Sequence, residues 1–112
     1  MISYNEALAL YLEKRGFKAD KHWKALLYLA TSNKDLSEII WPYINISKGE
    51  AGLMDIDLGS LSSGQRILVQ AAREFYNWSD SFKLSEAADT LDEEYWGTFL
   101  RAISIYRGNG DQ

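Results

Sequence analysis

The sequence predicts an all-α fold: a compact single-domain bundle of about five to six helices, with one long connection near residues 43–61. Three observations lead there. Apolar residues recur at three- and four-residue spacing through most of the chain, and serine or aspartate caps precede several of those stretches. No alternation of apolar and polar residues is strong enough to build a sheet. At 112 residues the chain is one domain, residues 1–112. A chain of that size buries roughly two-thirds of its unfolded surface in one core.

Ser3 with Glu6 makes a capping box and Gly16 is a natural stop, so the first helix runs over residues 4–15 with Ala7, Leu8, Tyr11 and Leu12 on one face. Asp20 caps a second helix that carries Trp23, Leu26, Leu27 and Ala30. Ser32 with Asp35 repeats the capping signal, and Leu36, Ile39 and Ile40 form the buried stripe of a short third helix. Pro42 limits it, because proline lacks the amide a helix needs and restricts the residue before it.

From Tyr43 to Leu61 the pattern lapses. Gly49, Gly52 and Gly59 fall here beside Ser47, Lys48 and Glu50, which predicts a surface loop with a short helical or extended piece at Leu53 to Leu58. Insertion, or ordering on a partner, would be tolerated in such a loop. It is not a domain boundary, because neither flank is long enough for its own core.

Ser62 followed by Gln65 opens a fourth helix. Ile67, Leu68, Ala71, Ala72 and Phe75 share a face that Val69 and Tyr76 widen, which predicts the central helix of the bundle. Ser85 caps a short segment from Glu86 to Thr90. Leu91, Asp92 and Trp96 have the spacing of a hydrophobic staple, and Asp92, Glu93 and Glu94 put negative charge where unpaired amides favour it. The last helix carries Phe99, Leu100, Ile103 and Tyr106, and Gly108 and Gly110 release the chain.

Composition removes several function classes. The chain has no cysteine, which excludes disulfides, iron–sulfur clusters and cysteine nucleophiles and points to a reducing, cytoplasmic setting. No apolar run is long enough for a membrane span, and no signal peptide pattern opens the chain. A net charge of -4 argues against general nucleic-acid binding.

Short motifs fail as chemistry. The stretch from Gly59 to Gly64 has the glycines of a phosphate loop, but no strand precedes it and Arg66 is not followed by a hydroxyl; it reads as a helix start. Asp55 and Asp57 resemble the opening of a calcium loop, yet the next ligand and turn positions are Gly59 and Ser60, and Arg66 stands where the bidentate glutamate belongs. His22 is the only histidine, and with no cysteine a zinc or iron site would have to rely on carboxylates alone. No residues combine nucleophile, base and oxyanion donors. The expectation is a non-enzyme with no catalytic residue, no metal and no cofactor.

The aromatics offer more. Four Trp and seven Tyr are many for a small core. Trp41, Tyr43, Trp78, Tyr95 and Trp96 lie at helix ends, where they either close the core or anchor a partner. The best local candidate for a protein-binding site is the turn over residues 75–82, with Tyr76, Trp78 and Phe82, together with the following acids Glu86, Asp89, Glu93 and Glu94. The expected function is a small non-catalytic protein-binding module or regulator with an unidentified protein partner; self-association into a homo-oligomer would also cover the aromatic surface. The alternative is a helix-turn-helix-like nucleic-acid binder using the basic 14–24 segment (Lys14, Arg15, Lys18, Lys21, Lys24) or Arg66 and Arg73, which requires those bases to share one exposed face.

Residues 22–36 (HWKALLYLATSNKDL), 61–77 (LSSGQRILVQAAREFYN) and 84–103 (LSEAADTLDEEYWGTFLRAI) carry a family resemblance. The chain resembles a family of small uncharacterised helical proteins from low-GC Gram-positive bacteria and their phages or mobile elements. Leu61, Ser62, Ser63, Gly64, Arg66 and Leu68 match the opening of its central helix, Asn77 the end of that helix, and Leu91 with Asp92 the opening of the last one. The resemblance covers most of residues 22–107 and is weakest over WPYINISKGEAGLMDID. It implies a small cytosolic helical protein, an accessory gene product of phage or plasmid origin, and it lends no assigned activity and no catalytic residues.

Overall fold

The computed structural model describes residues 1–76 and 82–108. Among them are six α-helices: α1 Tyr4–Arg15, α2 Lys21–Thr31, α3 Lys34–Ile40, α4 Ser63–Phe75, α5 Leu84–Thr90 and α6 Glu93–Arg107. Between α3 and α4 lie a 3-10 turn Trp41–Tyr43, an antiparallel pair β1 Ile44–Asn45 and β2 Glu50–Ala51, and two more 3-10 turns, Leu53–Asp55 and Leu58–Ser60. The chain is a mostly helical single globule. None of the described helices is long and apolar enough to cross a membrane.

The helix ends follow the side chains that cap them. Ser3 and Glu6 form a reciprocal box: Glu6 N–H donates to Ser3 Oγ at 3.1 Å, and Ser3 N–H donates to Glu6 Oε1 at 2.8 Å. Those bonds hold the Glu6 carboxyl below its ordinary pKa. Gly16 closes α1 with φ 79, a conformation glycine adopts without a Cβ penalty. Asp20, Ser62 and Asp92 cap α2, α4 and α6 as the sequence predicts. Two caps differ. Asn33, not Ser32, accepts the Leu36 amide at 2.9 Å, while Ser32 Oγ donates back to the Leu29 carbonyl. Ser85 sits inside α5, which starts at Leu84 behind Lys83 with no side-chain cap.

The centre of the bundle is α2, not α4. Trp23, Ala25, Leu26, Leu27, Leu29, Ala30 and Thr31 are all buried, so little of this helix faces water, and it packs against α1, α3, α4 and α6. A helix enclosed on most sides loses its polar face, whereas α4 keeps one at Ser63, Arg66 and Glu74. On α6 the buried line is Phe99, Ala102 and Ile105. Leu100 and Ile103, which the sequence assigns to the core face, are 47% and 37% exposed.

The 43–61 connection is built into the core rather than laid over it. Ile46, Ala51, Leu53 and Ile56 are buried in the main cluster. Arg73 of α4 fixes it: with 5% exposure, it donates from Nε to the Leu53 carbonyl at 3.2 Å and from Nη2 to the Ile56 carbonyl at 3.4 Å. The hairpin pairs Ile44 with Ala51 and Asn45 with Glu50, and turns at Gly49, whose φ is 67. Arg15 at the end of α1 donates to the Ser47 carbonyl at 3.2 Å. Its guanidinium also lies so close that a Cβ on Gly49 would sit 2.8 Å from Cζ. Gly49→Ala is therefore expected to cost about 1–2 kcal/mol from the left-handed backbone alone, plus displacement of Arg15. A lowered urea midpoint with an unchanged m-value checks it.

Candidate protein-binding site

The acidic, aromatic end of the molecule is formed where α4 finishes, α5 begins and α6 crosses beneath them. Phe99 of α6 is the hub. Its ring lies 5.4 Å from Phe82, 5.5 Å from Trp96 and 6.5 Å from Phe75, in tilted packing. Above this floor opens a groove of about 250 Å³ lined by Ala71, Glu74, Phe75, Phe82, Leu84, Phe99 and Ile103. Its lips are Leu84, 60% exposed, and Ile103. Among the described residues Glu74 is the one charged side chain on its lining, and Glu86 and Asp89 follow on the exposed side of α5.

The predicted site residues separate. Phe82 lines the groove, whereas Glu86 and Asp89, two and five residues beyond Leu84 on α5, are exposed and do not line it. Tyr76 turns to the other side of α4: its ring meets Trp23 edge-on at 5.3 Å, and its hydroxyl donates to the Gly49 carbonyl at 3.4 Å. Burial pushes the Tyr76 phenol above its ordinary pKa, more than hydrogen bonding to the Ala51 backbone lowers it. Tyr76 thus braces the hairpin. Glu93 and Glu94 lie in the first turn of α6, and Glu94 faces Asn33, Lys34 and Asp35 at the start of α3 across a shallow depression. Trp78 lies outside the described residues, as does Gly110.

Phe75, Leu84, Phe99 and Ile103 were not singled out by sequence as one surface. The signal was present in the spacing of Phe99, Ala102 and Ile105: once that line is the buried one, Ile103 falls to its edge and Leu100 beyond it.

The other edge aromatics close the core. Trp41 and Trp96 are half-buried against it, and Tyr95 covers the start of α4. There a Cβ on Gly64 would come within 3.1 Å of Tyr95 Cδ2. The glycine in the would-be phosphate loop is explained by that close approach of α6. Asp57, of the would-be calcium loop, accepts the Gly59 amide at 3.0 Å.

The basic residues point in different directions. Arg15 reaches the hairpin and covers the Phe17 ring at 5.3 Å; Lys21 covers the Tyr106 ring at 4.9 Å. Lys18 and Lys24 flank a second concavity of about 250 Å³ between α1 and α2, floored by Leu8, Leu12 and Ala19. Arg66 is exposed, whereas Arg73 is buried under the connection.

His22 links three helices. Its Nδ1 donates to the Phe75 carbonyl at 2.9 Å, since a carbonyl can only accept, and its ring meets Tyr106 edge-on at 5.3 Å. This ties α2 to the end of α4 behind the groove. Among the described residues, no group of three or more His, Asp or Glu is placed to hold a metal ion.

Comparison with protein-family models, with curated proteins and with solved structures finds no match to this chain.

Proposed function

We propose that the chain is a small non-catalytic protein-binding module that takes an apolar, basic-flanked segment of a partner protein into the groove between α4, α5 and α6. One observation carries this reading. A groove floored by Phe75, Phe82 and Phe99 leaves Leu84 and Ile103 open to water at its lips. Apolar surface gathered in a concavity gains most when a partner covers it. Glu74, Glu86 and Asp89 supply the charge that favours basic residues beside the apolar anchors. An origin in phage or mobile elements, as the resemblance of the helix openings implies, suits a small module acting on a host protein and belongs to the same proposal.

Affinity capture with the tagged chain, from a lysate of a low-GC Gram-positive bacterium, tests it. One protein is expected to co-elute in stoichiometric amount. Leu84→Glu, at a side chain already 60% exposed, is expected to lower its recovery at least about ten-fold without changing the melting temperature. Lys24→Glu, on the concavity between α1 and α2, is expected to leave it unchanged. Recovery of nucleic acid alone, released as salt rises, would overturn the proposal in favour of the basic 14–24 segment.

A further inference from the structure

We infer that the outward face of α6 is a self-association surface, on which a second copy of this chain packs its own α6 antiparallel across a two-fold axis at Leu100. The inference is independent of the groove's partner.

The face is defined by helical spacing. Glu93, Gly97, Leu100, Ser104 and Arg107 follow one another at intervals of four, three, four and three residues, which places them on one stripe. That stripe lies opposite the helix face that buries Ala102 and Ile105. Glu93, Gly97, Leu100 and Arg107 are exposed and Ser104 is half-exposed.

Two independent features point to a second α6 as the occupant. The first is charge. Leu100 is the midpoint of α6, with Glu93 and Arg107 each seven residues away at opposite ends. Reversing the helix about Leu100 therefore sets Glu93 of each copy against Arg107 of the other, and the surface is complementary to itself. An isologous two-fold contact requires that property. The two helix dipoles also run opposed in this arrangement.

The second feature is Gly97. It stands inside the helix, where glycine is about 1 kcal/mol worse than alanine. Nothing among the described residues accounts for it: a Cβ there would meet none of their atoms within 4 Å. In the antiparallel pairing Gly97 faces Ser104 of the second copy, and its missing side chain lets the helix axes approach. Leu100, 47% exposed in the monomer, meets its own copy on the axis.

Sedimentation-velocity ultracentrifugation over a concentration series is expected to show a monomer–dimer equilibrium. Gly97→Gln separates association from folding, because glutamine is the better helix former: the melting temperature at low concentration is expected to hold or rise, while the dimerisation constant weakens at least about ten-fold. Glu93→Arg and Arg107→Glu are each expected to weaken it, and the double exchange to restore it. Since the chain has no cysteine, engineered thiols report geometry cleanly. Leu100→Cys is expected to form a disulfide with itself, and Glu93→Cys only with Arg107→Cys. A chain that stays monomeric at every concentration, or a dimer insensitive to Gly97→Gln, would overturn the inference.

Discussion

Phe99→Ala is expected to lower the free energy of unfolding by about 4 kcal/mol, the size of a buried aromatic truncation. Phe99 is 3% exposed and its ring contacts those of Phe75, Phe82 and Trp96, so its loss removes the hub on which the end of α4 and the start of α5 rest. The surrounding rings cannot all collapse into the space, because each is fixed by its own backbone. Phe99→Leu keeps much of the volume and is expected to cost only about 1–2 kcal/mol. Chemical denaturation of the two variants checks the ratio. Equal, small losses would mean that the aromatic floor is loose and the groove is not preformed.

Arg73→Ala is expected to cost about 3 kcal/mol, by a different route. The side chain is buried and gives two donors to the carbonyls of Leu53 and Ile56, residues that are themselves buried. Removing it leaves those carbonyls short of donors and opens a void beneath the 43–61 connection. Arg73→Lys restores the charge but not the planar fork that reaches both carbonyls, so it recovers only part of the loss. Hydrogen exchange provides a local reading: the Ile56 amide, bonded to the Leu53 carbonyl at 3.3 Å, is expected to lose protection well before the amides of α2. Uniform loss across the molecule would show that the arginine supports the whole bundle rather than this connection.

Much of the fold was legible because the helix boundaries are written in short-range chemistry. Ser3 with Glu6, Asp20, Ser62 with Gln65, and Asp92 each cap a helix through a bond to the residue three along. Where two caps compete, as at Ser32 and Asn33, pattern cannot decide. The amide side chain of Asn33 accepts from Leu36, and the serine hydroxyl is left to bond its own preceding turn. The hairpin was illegible for another reason: strands of two residues are too short to show alternation, and their pairing is held by Arg15, a residue 32 positions from its acceptor Ser47.

The central helix was misjudged because strong amphipathicity marks a helix at the boundary of a core. The middle one, α2, is apolar almost all round. The candidate site was half legible. Phe82 and the acids Glu86 and Asp89 follow from composition at a turn, but which face of α4 Tyr76 takes depends on Trp23 and Gly49, both distant in sequence. Arg73, which the nucleic-acid alternative needs on an exposed face with Arg66, lies on the buried side of the same helix as Val69 and Gln70.

The binding proposal rests on the groove between α4, α5 and α6, and a hydrogen-exchange footprint of the chain with its captured partner tests that most directly. Added protection is expected over residues 71–76, 82–89 and 99–104, with the amides of α1 and α3 unchanged. Protection confined to α1 and the start of α2, beside Lys18 and Lys24, would contradict the account and move the binding surface to the concavity between α1 and α2.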